Sequence, residues 1–209
     1  MENKDMVMNE KKVMLKEAGI LFAITLIAGL VLGFVYELTK EPIRLQEELA
    51  IQRACQEVFQ EASSFEALSY IPGEALADEL DRMGVEIGTI YEAVDPAGTH
   101  LGYVLETTTS EGYGGNITLY LGVTNEGELN GISILSIAET PGLGMNAESV
   151  LVPQFENVPV AIFTYTKSGS TSDSEIDAIS GATITTEAIV NAVNGGIRVV
   201  QEELTKGGN

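Results

Sequence analysis

The stretch DAISGATITTEAIV, Asp177 to Val190, sets four small or hydroxyl residues, Ser180-Gly181-Ala182-Thr183, ahead of an apolar-periodic run. Ile189, Val190, Val193, Ile197 and Val200 share one helical face and predict a helix from about Thr186 to Leu204. A helix N-terminus carries unpaired N–H groups and partial positive charge, and small residues there let a phosphate come close. Thr185 or Thr186 suits the N-cap, with Glu187 in the first turn. A cap needs one hydroxyl, yet this segment offers Ser180, Thr183, Thr185 and Thr186, preceded by Asp177. Two readings stay open on these residues alone: a helix cap in a tight turn, and a phosphate site.

Upstream, strand patterns dominate. Ile87–Val94, Leu101–Thr108, Ile117–Val123, Gly131–Ile137 and Pro159–Thr166 are β-rich, and Asn125-Glu126-Gly127-Glu128 reads as a hairpin turn. A short acidic helix is expected over Glu74–Met83, and Pro42 marks an expected helix start before the apolar spacing of Ile43–Phe59. Hairpins combined with helices give an α+β class, with an antiparallel sheet and packed helices. Lys167 to Ser172 reads as a flexible polar loop.

Ala18 to Tyr36, AGILFAITLIAGLVLGFVY, contains no charged residue. At helical rise it spans about 28 Å, close to the hydrocarbon core of a bilayer. It is longer than a usual signal-peptide core, and Glu37-Leu38-Thr39-Lys40 offers no small-x-small cleavage site. An uncleaved transmembrane helix is expected. Lys4, Lys11, Lys12 and Lys16 precede it, against Lys40, Arg44 and Arg53 after it, which favours a cytoplasmic N-terminus and an extracytoplasmic body.

The chain has 209 residues and a formal net charge of -20, and from Glu47 onward 25 acidic residues face 5 basic ones. Such a body repels nucleic acid. One cysteine, Cys55, excludes an internal disulfide and reads as a small buried group, while one histidine, His100, excludes a His/Cys metal cluster. No metal site and no catalytic residue is expected. GxxxxGK[ST], GxGxxG after a strand, and GxSxG are all missing.

Two glycine-rich segments remain. Gly112-Tyr113-Gly114-Gly115 lies between strands, and Glu139-Thr140-Pro141-Gly142-Leu143-Gly144 follows one. Each alone reads more simply as a turn, though glycine lets a flat ligand approach the backbone and strand exits often hold ligand contacts.

Together the span, LTKEPI at Leu38–Ile43, GYGG, ETPGLG and DAISGAT resemble the FMN-binding domain of the G subunit of the Rnf electron-transport complex, and of the related C subunit of the sodium-translocating NADH:quinone reductase. The resemblance covers nearly the whole chain. Many members have a polar residue, often histidine, just before ETPGLG, where this chain has Ser136-Ile137-Ala138.

The resemblance implies FMN attached covalently, through a phosphoester, to the threonine closing S-G-A-T, here Thr183. It implies a magnesium-dependent flavin transferase that uses FAD and recognises the segment from Asp177. Cofactor contacts would come from Ser180, Gly181, Ala182, Thr185 and Thr186 around the phosphate, and from Tyr113, Gly114, Gly115, Glu139, Thr140, Gly142, Leu143 and Gly144 around the ring. Partners would be the membrane and the other membrane and iron–sulfur subunits of a ferredoxin:NAD oxidoreductase. The expected organisation is a cytoplasmic segment over 1–17, a transmembrane helix over 18–36, a helical connection over 37–85 and an FMN-binding domain over 86–209. A free-standing flavinylated surface carrier and a non-redox anchored binding module are the alternatives.

Overall fold

The computed structural model describes residues 2–205, with side chains from Met14 onward. Lys4, Lys11 and Lys12, which enter the orientation argument, lie outside the described side chains, as does most of segment 1–17. The chain divides into two compact units, residues 1–49 and 50–209.

Helix α1 spans Glu2–Val58 and contains Pro42. The expected helix start at Pro42 is therefore corrected. Proline removes one backbone donor and crowds the carbonyl four residues earlier, but the charged and apolar helix formers on both sides continue the ladder past it. Within α1, an 18-residue window has a mean hydropathy of 2.6 and no buried share, so the helix is long and apolar enough to cross a membrane. Thr25 donates its hydroxyl to Leu21 O and Thr39 to Val35 O, each at 3.0 Å, so neither leaves an unpaired polar group on the apolar stretch.

The second unit is built on a six-stranded antiparallel meander. Its strands, in both chain and spatial order, are β1 (Ser64–Leu68), β2 (Val85–Val94), β3 (His100–Thr109), β4 (Ile117–Thr124), β5 (Glu128–Ser136) and β6 (Val158–Pro159). Helix α2 (Glu74–Arg82) joins β1 to β2. Residues 50–85, expected as part of a helical connection, thus include a sheet strand: Phe65 pairs with Ala93 and Ala67 with Tyr91. The run Ser64–Leu68 is only five residues long, too short to mark a strand on its own, and pairing with β2 decides it.

Period-2 alternation sends neighbouring residues to opposite faces. Leu105, Leu119 and Leu121 face helix α4 (Thr183–Val199), together with buried Ile189, Val193 and Ile197. Val104 and Tyr120 face the other way and pack with Ala54, Cys55 and Val58 from the end of α1 and with Phe59 just after it. A Cβ on Gly196 would overlap the Leu121 side chain, so this mid-helix glycine lets α4 lie close against β4.

The expected β-rich run Pro159–Thr166 divides in two. Val158–Pro159 is a brief edge strand on β5, while β7 (Thr164–Thr166) pairs in parallel with β8 (Glu175–Asp177). Proline has no N–H for the ladder and the run leaves the sheet there. Between the halves, buried Asn194 of α4 accepts from Phe163 N at 2.8 Å and donates to Phe163 O at 2.9 Å. This pair ties the 160s segment to α4.

Candidate functional site

The helix expected from about Thr186 starts three residues earlier, at Thr183. Ala182 occupies the N-cap with φ −132° and ψ 52°, and no side chain caps the helix. The expected capping role of Thr185 or Thr186 is therefore corrected. The first backbone bond of the helix runs from Thr186 N to Ala182 O at 3.0 Å, which leaves the N–H groups of Thr183, Ile184 and Thr185 ahead of it.

The four hydroxyls of this segment have different fates. Thr186 is fully buried; its Oγ1 accepts from Ile179 N at 3.1 Å and donates to Ala182 O at 3.0 Å. It holds the turn to the helix, and its one donor is used there, so it has none left for a phosphate oxygen. Ser180 is exposed and lies off the cavity wall. Thr183 is half-buried and Thr185 is buried, and both line a cavity of about 540 Å³. Gly181 adopts φ +79°, a left-handed turn that brings the chain into the helix at this angle.

The same cavity gathers the other two segments. Tyr113 comes from the loop between β3 and β4; Glu139, Thr140, Leu143 and Gly144 come from the loop after β5. Of the expected contacts, Gly114, Gly115 and Gly142 lie off the wall and shape the loops behind it. Ile184, not expected from sequence, is on the wall and exposed. It was hidden because a helix expected to start at Thr186 leaves it in a loop.

Glu139 joins the pieces. It is buried, and its Oε1 accepts from Gly114 N at 3.2 Å. A Cβ on Gly114 would overlap Ala138 O, so the two loops touch backbone to backbone. A Cβ on Gly144 would lie 2.6 Å from Thr185 Oγ1 and 2.9 Å from Glu139 Oε2. Both glycines keep open a space that any side chain would fill.

Behind the site, Gln154 uses its carboxamide as a backbone rung. It donates to Asp177 O at 3.1 Å, and its Oε1 accepts from Asp177 N at 2.7 Å. The Asp177 carboxylate turns away to accept from Ser170 N at 2.6 Å, so the polar 167–172 loop is tied to the strand leading into the site. Nothing in the sequence pairs Gln154 with Asp177, 23 positions apart.

An apolar-edged cavity of this size, with glycine floors and an uncapped helix N-terminus beside a hydroxyl, fits a flat phosphorylated ligand such as FMN. Residues 112–198 match the FMN-binding domain family, and residues 7–58 match the RnfG N-terminal region. The G subunit of the Na(+)-translocating ferredoxin:NAD(+) oxidoreductase complex of Acetobacterium woodii is 34% identical over 96% of this chain and 98% of its own length. This chain belongs to the RnfG family. Its match to the G subunit of the ion-translocating oxidoreductase complex of Methanosarcina acetivorans is 29% identical, covering 94% of this chain and 99% of that protein. The crystal structure of Shewanella oneidensis NqrC aligns with a TM-score of 0.46 at 18% identity, over 57% of this chain and 61% of that one. The cavity residues of this RnfG chain all fall within the FMN-binding match.

Proposed function

We propose that this chain is the membrane-anchored G subunit of an Rnf-type ferredoxin:NAD oxidoreductase that moves ions across the membrane, and that it carries FMN as a phosphoester on Thr183. The observation that carries the reading is the placement of Thr183: a hydroxyl at the first position of an uncapped helix, on the wall of the cavity. FMN supplies the electron-transfer chemistry when bound, and the protein fixes where it sits.

The N–H groups of Thr183, Ile184 and Thr185 are the donors for the phosphate oxygens, with the Thr185 hydroxyl beside them. Tyr113, Leu143 and Ile184 give the ring apolar contacts, and the wall contains no lysine or arginine. A flavin transferase makes the ester from FAD: Thr183 Oγ bonds to the FMN phosphorus, the pyrophosphate bond breaks, and AMP and the hydroxyl proton leave. Residues 18–36 anchor the chain, and the body lies outside the cytoplasm.

Intact mass after co-expression with a flavin transferase tests this. The full-length chain gains one FMN moiety with loss of water, and Thr183→Ala gains none. Equal gain in both removes Thr183 from the mechanism.

A further inference from the structure

The flavin cavity holds one formally charged side chain on its wall, Glu139, and no cation among the described residues. Glu139 is only 7% exposed and Oε1 is fixed by Gly114 N at 3.2 Å, which leaves Oε2 toward Gly144 and Thr185. Thr185 is 1% exposed and on the wall, with its hydroxyl oxygen on the Gly144 side. The hydroxyl oxygen and Glu139 Oε2 lie within 3 Å of a single point, where a Cβ on Gly144 would stand. Thr185 is also the third residue of α4, and its own N–H is one of the first-turn donors. An anion attractor and an anion repeller therefore face the same small space.

We propose that Glu139 makes this site selective for flavin phosphate as a diester on the chain and against free flavin phosphate. The inference rests on the flavin reading above and adds to it a reason for the covalent link. A free phosphate monoester carries about −1.5 to −2 charges near pH 7. Esterified to Thr183 Oγ, the same group becomes a diester with a single ionised oxygen. Esterification thus removes part of the negative charge that a buried carboxylate opposes, and the tether replaces affinity with attachment. In a partly desolvated cavity with no lysine or arginine on its wall, the repulsion is felt far more than at the surface. The helix N-terminus suffices for the diester and fails for the dianion. Glu139 so keeps unattached FMN, and inorganic phosphate by the same chemistry, out of the apoprotein until the ester is made.

Riboflavin and FMN share ring and ribityl chain and differ in the phosphate, so their ratio isolates the charge. The full-length chain, purified in detergent from cells without a flavin transferase, is titrated with each by flavin fluorescence. Wild type prefers riboflavin. Glu139→Gln, which keeps an oxygen for Gly114 N, shifts the FMN-to-riboflavin affinity ratio toward FMN by roughly tenfold, a modest estimate for one charge at this range. Glu139→Asp keeps the charge and stays near the wild-type ratio. A purely structural role moves both flavins together and leaves the ratio alone. An unchanged ratio in Glu139→Gln, or no uptake of either flavin by that variant, overturns the proposal. Intact mass after co-expression separates the two readings. Wild type left unmodified at Thr183 overturns the attachment while the ratio still decides the role of Glu139. Wild type carrying FMN with an unchanged ratio overturns the role of Glu139 alone.

Discussion

Two cavities open on the same compact unit, and the larger is the poorer ligand site. A cleft of about 830 Å³ lies between the end of α1 and the turns at the far end of the sheet, and Glu57, Glu61, Glu126, Glu128 and Glu156 all line it. The smaller one, about 540 Å³, has one carboxylate, an uncapped helix N-terminus and three threonines, Thr140, Thr183 and Thr185. Among the described residues no group of three or more His, Cys, Asp or Glu is placed to hold a metal ion. His100 in the cleft packs edge-on to Tyr103, with ring centroids 4.7 Å apart. Volume measures how the chain leaves space. Directed donors and close backbone decide what the space can hold, and those belong to the smaller cavity.

The contrast can be broken by experiment. Its strongest test remains loss of all covalently bound flavin in Thr183→Ala. Next is Asn194→Ala, which removes the buried clamp that sets α4 against Phe163. Two buried backbone groups lose their partners, and stability falls by about 2–4 kcal/mol in chemical denaturation. If the small cavity depends on the seating of α4, loading of Thr183 falls with it; a destabilised variant with full loading would uncouple the two.

A smaller effect belongs to the core cluster that Cys55 shares with Val58 and Phe59. Cys55 of α1 is 1% exposed, and burial first, then the Glu106 carboxylate, pushes its thiol up to about 12. The raised value favours the folded state fully below the ordinary thiol range. That contribution is lost as pH rises from about 9 toward 12, because the unfolded chain ionises first. The folded protein should be inert to thiol reagents at pH 8, and Cys55→Ala should flatten the alkaline fall in stability. A rapid reaction with native protein would show that this core cluster opens. The smallest effect is expected of Glu128→Gln, an exposed cleft residue: stability within about 0.5 kcal/mol and unchanged flavin content. A loss of flavin there would make the cleft part of the site.

The main strands were legible because β2 to β5 carry their own alternation and turn signals. The helix start was misplaced by three residues because propensity rewards a hydroxyl cap, and here Ala182 stands at the cap. Thr186 looked like a ligand contact by type and neighbourhood. Its hydroxyl is engaged by Ile179 and Ala182, a fact visible only once the turn folds back on the helix. Gln154 had no sequence signal at all, since a carboxamide in a single 3₁₀ turn, Val152–Phe155, has no period to mark it.

By itself the sequence determined the apolar span, the α+β class, the acidic body and the three segments that meet at one cavity. Each is a local property: uninterrupted hydropathy, period-2 or 3.6 spacing, glycine where a side chain would collide. Tertiary structure alone decided which hydroxyl faces the cavity and which is used up inside, and where α4 begins. It also decided that Glu139 sits beside Thr185 with no cation on the wall they share. Those outcomes depend on hydrogen-bond partners and burial supplied by residues far away in the chain, which no local pattern records.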